Sequence, residues 1–386
     1  MSAKREADGT ASGRAELFAA GVASRLTVKV GSSLLVAPAG DVRTGWLETL
    51  VADIASARAA GQQIILVSSG AIALGSRRLK LPKGGRANLE DAQAAAATGQ
   101  IILAGLWAEL LGRHGITAAQ MLVTLGDFED RRRFLNASAT LDRLLSLGVV
   151  PILNENDSVA TEEIRFGDND RLAARAAQAA RSDGLILLSD IDGLYTANPS
   201  EDPTAELIPT VTDLSAVAHM ASRASSSGMG SGGMFAKVEA ARIAHAAGIP
   251  VAIVAGKPTN PLSRFQEAGH GTIFVPPDPL TARKAWLAGR MQVEGRLTVD
   301  AGAARALKAG KSLLAAGLIG IEGQFRRGDA VDVLDEAGKL IARGLVSYDA
   351  ADARTIAGKS RDALAEILGY APRSAMIHRD QLVMLS

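Results

Sequence analysis

Two clusters of acids and amides, Asn154-Glu155-Asn156-Asp157 and Gly167-Asp168-Asn169-Asp170, fall within one stretch, VVPILNENDSVATEEIRFGDNDR (149–171). Its apolar, β-branched start reads as a buried strand, and in an open α/β sheet the carboxyl end of a strand faces the ligand crevice. The weakly alternating residues 159–165 read as a short hairpin returning the second cluster toward the first. A helix N-cap at Asp168 or Asp170 accounts for one acid but not for two clusters. A calcium-binding loop is disfavoured, because the Gly and closing Glu that such a loop needs are missing.

Lysines and small-residue loops could supply the complementary chemistry. Lys29 sits in the apolar run Leu26 to Val30, before Gly31-Ser32-Ser33, a turn through which backbone amides can approach an anion. It is either a guard on an edge strand or a phosphate ligand. Ser68-Ser69-Gly70-Ala71 repeats the order strand, small-residue loop, helix; such a helix start suits a carboxylate or phosphate, with a plain cap at Ser69 as the alternative. Lys237 closes SSSGMGSGGMFAK (225–237), where a lysine on the first turn of the following helix favours a phosphate cradle over a flexible linker. The formal G-x-G-x-x-G at Gly228, Gly230 and Gly233 lacks the preceding strand of a dinucleotide fingerprint, and the lysine is misplaced for a Walker loop. His114, His219, His245, His270 and His378 all lie outside these motifs, which disfavours proton-abstracting chemistry.

The elements that must carry these groups alternate. Strands are expected over 26–30, 63–67, 116–124, 149–153, 185–188 and 250–255, the fifth ending in Ser189-Asp190-Ile191-Asp192-Gly193-Leu194-Tyr195. Helices are expected over 44–60, 88–112, 128–147 and from the glycine-rich run to 247. This predicts an α/β fold, a three-layer αβα sandwich with a mostly parallel central sheet. The helix from Asn88 to Gly112 is apolar round much of its circumference and is either deeply buried or at a subunit contact. From Val275-Pro276-Pro277-Asp278-Pro279 the pattern changes to a short helix (281–289) and then short strands between Gly-rich turns, a small, mainly β domain. The expected organisation is an N-terminal extension over 1–24, open to disorder, an α/β domain over 25–289 and the second domain over 290–386.

Composition bounds the function. The 386 residues are 47% apolar with mean hydropathy +0.14, enough for two or three domains with real cores. No uninterrupted apolar run reaches the ~18 residues of a membrane span, and the first residues lack the core of a secretory signal. Zero cysteines exclude disulfides, thiolate metal sites and a cysteine nucleophile, and fit a cytoplasmic enzyme. A net charge of +1 and 4% aromatic residues argue against a general polyanion binder, and residues 291–386 carry 13 Lys/Arg against 12 Asp/Glu.

In this order and spacing, VKVGSS, VSSGAIALG, QMLVT, RRRFLNA, PILNENDSVAT, FGDNDRLAA, SDIDGLYTANP, GMGSGGMFAK, AILGY and HRD resemble the glutamate 5-kinases. These have the amino acid kinase fold and, in their long form, a C-terminal PUA domain; the resemblance runs from Leu26 to Arg379. It implies transfer of the ATP γ-phosphoryl group to the side-chain carboxylate of L-glutamate, giving L-glutamyl 5-phosphate for proline biosynthesis. It also implies that Lys29 and Lys237 flank the transferring group while Asp170 holds them. Ser69, Gly70, Asp157, Asp168 and Asn169 would bind glutamate, Asp157 facing its ammonium. Lys29, Gly31, Ser189, Asp190 and Ser231-Gly232-Gly233-Met234-Phe235-Ala236-Lys237 would face ATP. The chain departs from the family in its N-terminal extension, in Ser189 where Thr is common, and at Phe235-Ala236. A glutamate side chain, with a reference pKa of ~4.3, is ionised at neutral pH and needs no general base. The reaction instead needs relief of repulsion between carboxylate and polyphosphate, which two lysines can supply. The resemblance further implies Mg²⁺ with no assigned protein ligand, proline as a feedback inhibitor and a homo-oligomer (dimer or tetramer), while composition speaks against a membrane or nucleic-acid partner. Acetylglutamate, aspartate or uridylate kinase, or a PUA-type RNA-binding protein, are the alternatives.

Overall fold

Continuous apolar runs such as Gln63–Ser68 (QIILVS) and Gly184–Ser189 (GLILLS) are strands buried on both faces, as a sheet covered by helices on either side requires. A computed structural model describes residues 11–37, 41–159, 168–217, 231–276, 293–369, 372–373 and 375–385. The chain divides into two compact units, Met1–Pro279 and Leu280–Ser386. The expected hairpin at 159–165, helix at 281–289 and domain boundary at 289/290 lie wholly or mostly outside the described residues.

The strands of the first unit are β1 (Arg25–Val30), β2 (Gln63–Ser68), β3 (Ala118–Val123), β4 (Val150–Glu155), β5 (Gly184–Ser189), β6 (Thr210–Val211), β7 (Val251–Ala255) and β8 (Thr272–Phe274). Their spatial order is β3-β4-β2-β1-β5-β7-β8-β6, and all neighbours are parallel except the antiparallel pair β7 and β8. Since β1 lies between β2 and β5, Lys29 is on a central strand and is not an edge guard.

Ten helices are described in this unit: α1 (Ala11–Ala15), α2 (Ser32–Leu35), α3 (Thr44–Ala59), α4 (Ala71–Leu79), α5 (Leu89–Gly112), α6 (Leu125–Glu129), α7 (Arg131–Ser146), α8 (Asp168–Ala180), α9 (Ser231–Ala246) and α10 (Pro261–Ala268). The period-2 alternation of the strands divides the core between two layers. Ile65, Val67, Leu185 and Leu187 pack with α7, α8 and α9, whereas Ile64, Leu66, Ile186 and Leu188 pack with α3, α5 and α10.

Three local expectations are corrected. The single helix read over 128–147 is two, α6 and α7. A capping box between Thr124 and Asp127 starts the first, and Asp130, in extended conformation, caps the second by accepting from Arg133 N. Residues 11–24, read as part of an extension, are built into the unit. Phe18, 1% exposed, packs edge-on against Phe265 and over Gly184, where a Cβ would meet its ring at 2.8 Å, and Gln62 Nε2 donates to Phe18 O and Ala23 O. Finally, α5 is long and apolar enough to cross a membrane although no uninterrupted run announced it. Its Leu103, Trp107, Leu110 and Leu111 nevertheless pack in the same core as Leu66 and Ile152.

The second unit holds β9 (Val293–Val299), β10 (Leu318–Gly323), β11 (Ala330–Leu334), β12 (Leu340–Leu345) and β13 (Leu382–Met384) in the order β10-β9-β11-β12-β13, with β9 and β11 parallel and the remaining pairs antiparallel. With α11 (Ala301–Lys308), α12 (Ala350–Ile356) and α13 (Arg361–Leu368) it closes a separate core around Leu297, Val331, Val333, Ile341 and Met376.

Candidate active site

Because β1, β2, β4 and β5 are parallel, their carboxyl ends open on one edge of the sheet, the edge reached by Gly31, Ser69-Gly70, Asn156-Asp157 and Asp190. Two helix starts complete it. Asp170 is on the first turn of α8, and α8 packs against α9 through fully buried alanines, among them Ala173, Ala177, Ala240 and Ala244, small enough to let the two helices approach. That approach brings together three charged groups from distant parts of the chain.

Lys29 Nζ lies 2.5 Å from Asp170 Oδ1, and Lys237 Nζ donates to Asp170 Oδ2 at 3.1 Å. The carboxylate is 1% exposed, and the lysines 6% and 7%. Burial depresses the Lys29 amine below the ordinary lysine value; Asp170 opposes this and the Lys237 charge adds to it. Burial alone would raise Asp170, but the Lys29 and Lys237 ammonium groups outweigh it and hold the carboxyl below the usual range. Two amines to one carboxylate leave a surplus of positive charge in a desolvated place, the condition in which an anion is bound strongly. A glycine lies in contact range of each amine. A Cβ at Gly31 would stand 3.8 Å from Lys29 Nζ, and one at Gly233 3.9 Å from Lys237 Nζ.

The stretch 231–237 is helical rather than a loop, which puts Lys237 on the second turn of α9, where its amine also reaches back to Gly233 O at 3.3 Å. Met234 turns into the core, Ala236 is buried and Phe235 is exposed, so any contact of Met234 with a nucleotide rests on backbone. Ser231, Gly232 and Asp168 open their helices, and the side chains of Ser231 and Asp168 lie outside what the structure describes. Ser189 Oγ is taken up within its own turn by Asp190 Oδ1 and Ile191 N, while the exposed Asp190 acts on Lys29 electrostatically. His270, outside every motif in sequence, meets the same loop: its Nε2 lies 2.8 Å from Asp192 Oδ2, and Tyr195 Oη donates to the same carboxylate.

On the other side, Ser69 and Gly70 connect β2 to α4. Gly70 has φ +115°, a conformation that favours glycine, and Ser69 N donates to Val30 O. Asn169 Nδ2 donates to Ser69 Oγ at 2.9 Å and to Asn154 Oδ1 at 3.1 Å, and Asn154 Nδ2 donates to Gln100 Oε1 at 2.7 Å. Asn169 Oδ1 is buried and has no hydrogen-bond partner among the described residues. Asp157 is half-buried, and its charge acts on Arg86. Arg86 is exposed as a residue, yet its guanidinium is desolvated enough to fall below the ordinary value despite Asp157.

Gln100 and Arg86 were not placed at the site from sequence, and Asn154, expected at the crevice, had been given no role there. Gln100 carried a signal: it stands on the stripe 100, 103, 107, 110, 111 of α5, where every other residue is a large apolar one. Arg86 carried none. Among the described residues no group of three or more His, Cys, Asp or Glu is placed to hold a metal ion.

Residues 24–255 match the Amino acid kinase family and residues 295–368 the PUA domain. The glutamate 5-kinase of Sphingopyxis alaskensis is 61% identical over 370 residues, covering 96% of this chain and 100% of that protein. That of Zymomonas mobilis is 59% identical, with coverage of 94% and 91%, and that of Novosphingobium aromaticivorans 58%, with coverage of 96% and 98%. With a mostly parallel sheet in the first unit and a separate five-stranded sheet in the second, matching the order of those two domains, the chain belongs to the amino acid kinase family, among the glutamate 5-kinases that carry a C-terminal PUA domain.

Proposed function

We propose that this chain uses Lys29, Lys237 and Asp170 to transfer the γ-phosphoryl group of ATP to the side-chain carboxylate of L-glutamate, forming an acyl phosphate for proline biosynthesis. The observation that carries this reading is the buried trio itself, two amines held by one carboxylate. The acceptor carboxylate is ionised at neutral pH, so no side chain needs to take a proton from it. What must be overcome is the repulsion between that carboxylate and the polyphosphate, and then the charge on the transferring group. The surplus positive charge of the lysines answers both, and Asp170 fixes the two amines so that they do not reorganise during transfer.

Ser69, Gly70, Asn169 and Asp157, with Asp168, form the glutamate side in this reading, Asp157 taking the ammonium. Gly31, Ser189, Asp190 and the start of α9 form the nucleotide side. Mg²⁺ comes with the nucleotide and supplies charge neutralisation on the phosphates. Proline inhibition, a cytoplasmic location and the absence of a nucleic-acid partner belong to the same proposal. So does a homo-oligomer, for which the exposed apolar side of α5, with Ile101 78% exposed, is the candidate contact.

Rates of ADP formation with glutamate, aspartate and acetylglutamate, with hydroxylamine present to trap an acyl phosphate, test the assignment. Glutamate should support ADP formation and give the hydroxamate. Faster turnover with either of the others, or ADP without hydroxamate, would overturn it.

A further inference from the structure

We propose that Gln100, on α5 and outside the groups that would touch substrate, is a positioning residue that sets which way the amide of Asn169 faces and thereby gives the glutamate site its polarity. The inference rests on the reading that Asn169 and Ser69 bind glutamate. A side-chain amide has two N–H donors and one carbonyl acceptor, and its two ends are nearly equal in shape. Its orientation is therefore decided by partners. Both hydrogens of Asn169 Nδ2 are used, on Ser69 Oγ and on Asn154 Oδ1. Oδ1 is left buried with no partner among the described residues, an acceptor suited to an ammonium group. Ser69 Oγ, already accepting, keeps its own hydrogen to give to a carboxylate oxygen.

Asn154, 2% exposed, has the same ambiguity. Its far partner is Gln100 Oε1, which accepts from Asn154 Nδ2 at 2.7 Å while Asn154 Oδ1 faces Asn169. Were Asn154 reversed, its N–H₂ would oppose that of Asn169, donor against donor. Asn169 would then reverse in turn and present hydrogens to the substrate ammonium. One acceptor on α5 thus selects the charge pattern two side chains away.

The backbone of α5 is held in register for this task. Gly75 of α4 and Gly99, the neighbour of Gln100, let the two helices touch backbone to backbone, and a Cβ at either would lie 1.8 Å from a carbonyl oxygen of the other helix. Two turns after Gln100, Trp107 Nε1 donates to Ser68 Oγ, beside Ser69, so α5 pins both branches of the site.

The test is steady-state kinetics on the full chain with Gln100→Met, which keeps length and loses the acceptor, and Gln100→Glu, which keeps an acceptor oxygen. Q100M should raise the glutamate KM about tenfold with the ATP KM unchanged, and Q100E should return it to within about twofold of the parent. Added to Asn154→Ala, Q100M should change the glutamate KM no further, because Gln100 acts through Asn154. A normal glutamate KM in Q100M, an equal rise in both KM values, or Q100E no better than Q100M would overturn the proposal. Asn169→Ala separates the two levels. If it raises the glutamate KM while Q100M does not, the positioning role fails and the site stands. If it leaves that KM unchanged, the site assignment itself fails.

Discussion

Replacing Asp170 with Asn keeps the shape of the side chain and removes the charge that joins the two lysines. The carboxylate is 2.5 Å from Lys29 Nζ, 3.1 Å from Lys237 Nζ and 1% exposed. At an effective dielectric of about 20, a unit charge about 3 Å away contributes about 5 kcal/mol, so the gross attraction from two amines is about 10 kcal/mol. Most of this is cancelled by desolvation, and deleting one partner of a buried pair costs about 3–5 kcal/mol. The pH dependence follows from the two depressed values. Asp170 is lower in the folded state than in the unfolded chain, so its stabilisation is present above the ordinary carboxylate value of ~3.9 and is lost as pH falls through the folded value. Lys29 is also depressed, so its buried charge costs stability in full below its folded value, a cost relieved as the pH rises from that value toward the ordinary lysine value. In Asp170→Asn the first contribution is gone and Lys29, without its carboxylate, falls further. The stability deficit should therefore be largest near neutrality and narrow toward alkaline pH. The kcat should drop at least ~10²-fold, and its alkaline limb should move to lower pH. Urea unfolding and kcat, each measured across neutral and alkaline pH, check this. A variant with near-parental kcat, an unmoved alkaline limb and a constant deficit would refute the claim that Asp170 holds the lysines.

Lys29→Ala and Lys237→Ala should each lower kcat at least ~10²-fold in a folded protein, and near-normal turnover in either would remove that lysine from the chemistry. Asp157→Asn should raise the glutamate KM far more than the ATP KM; an equal loss for ATP would place Asp157 on the nucleotide side. Gly75→Ala should cost about 1–3 kcal/mol in urea unfolding, because its Cβ would meet Ala95 O at 1.8 Å, and should weaken glutamate binding by displacing α5. A chain ending at Gly289, and one ending a few residues to either side, should fold and retain glutamate-dependent ADP formation. Folded truncations that bind both substrates without turnover would show that the second unit completes the site.

The alternation of elements was legible because each central strand is an apolar run closed by small or polar residues, a pattern set by local chemistry. What the sequence left open was whatever depends on long-range order. Lys29 could be an edge guard or a ligand until the crossovers placed β1 between β2 and β5. Residues 11–24 read as an extension since their small and charged residues show no period, and Phe18 finds Gly184 only in three dimensions. Gly232-Gly233 reads as a loop by intrinsic propensity, but packing of Met234 and Val238 in the core carries the helix through it.

Gln100 shows where the limit lies. An amide on an otherwise apolar helical stripe cannot be buried at tolerable cost without a partner, so the sequence already required a buried hydrogen bond at that position. It could not say with what. The partner, Asn154, is 54 residues away at the end of a strand whose side chains alternate between two faces. Only the register of β4 against β2 decides that Asn154 turns toward α5 while Asn169 arrives from α8. A polar residue that breaks a buried stripe is therefore a local sign of a non-local network. When that network ends on a residue assigned to substrate, its far end is where the orientation of the site can be altered without touching the site.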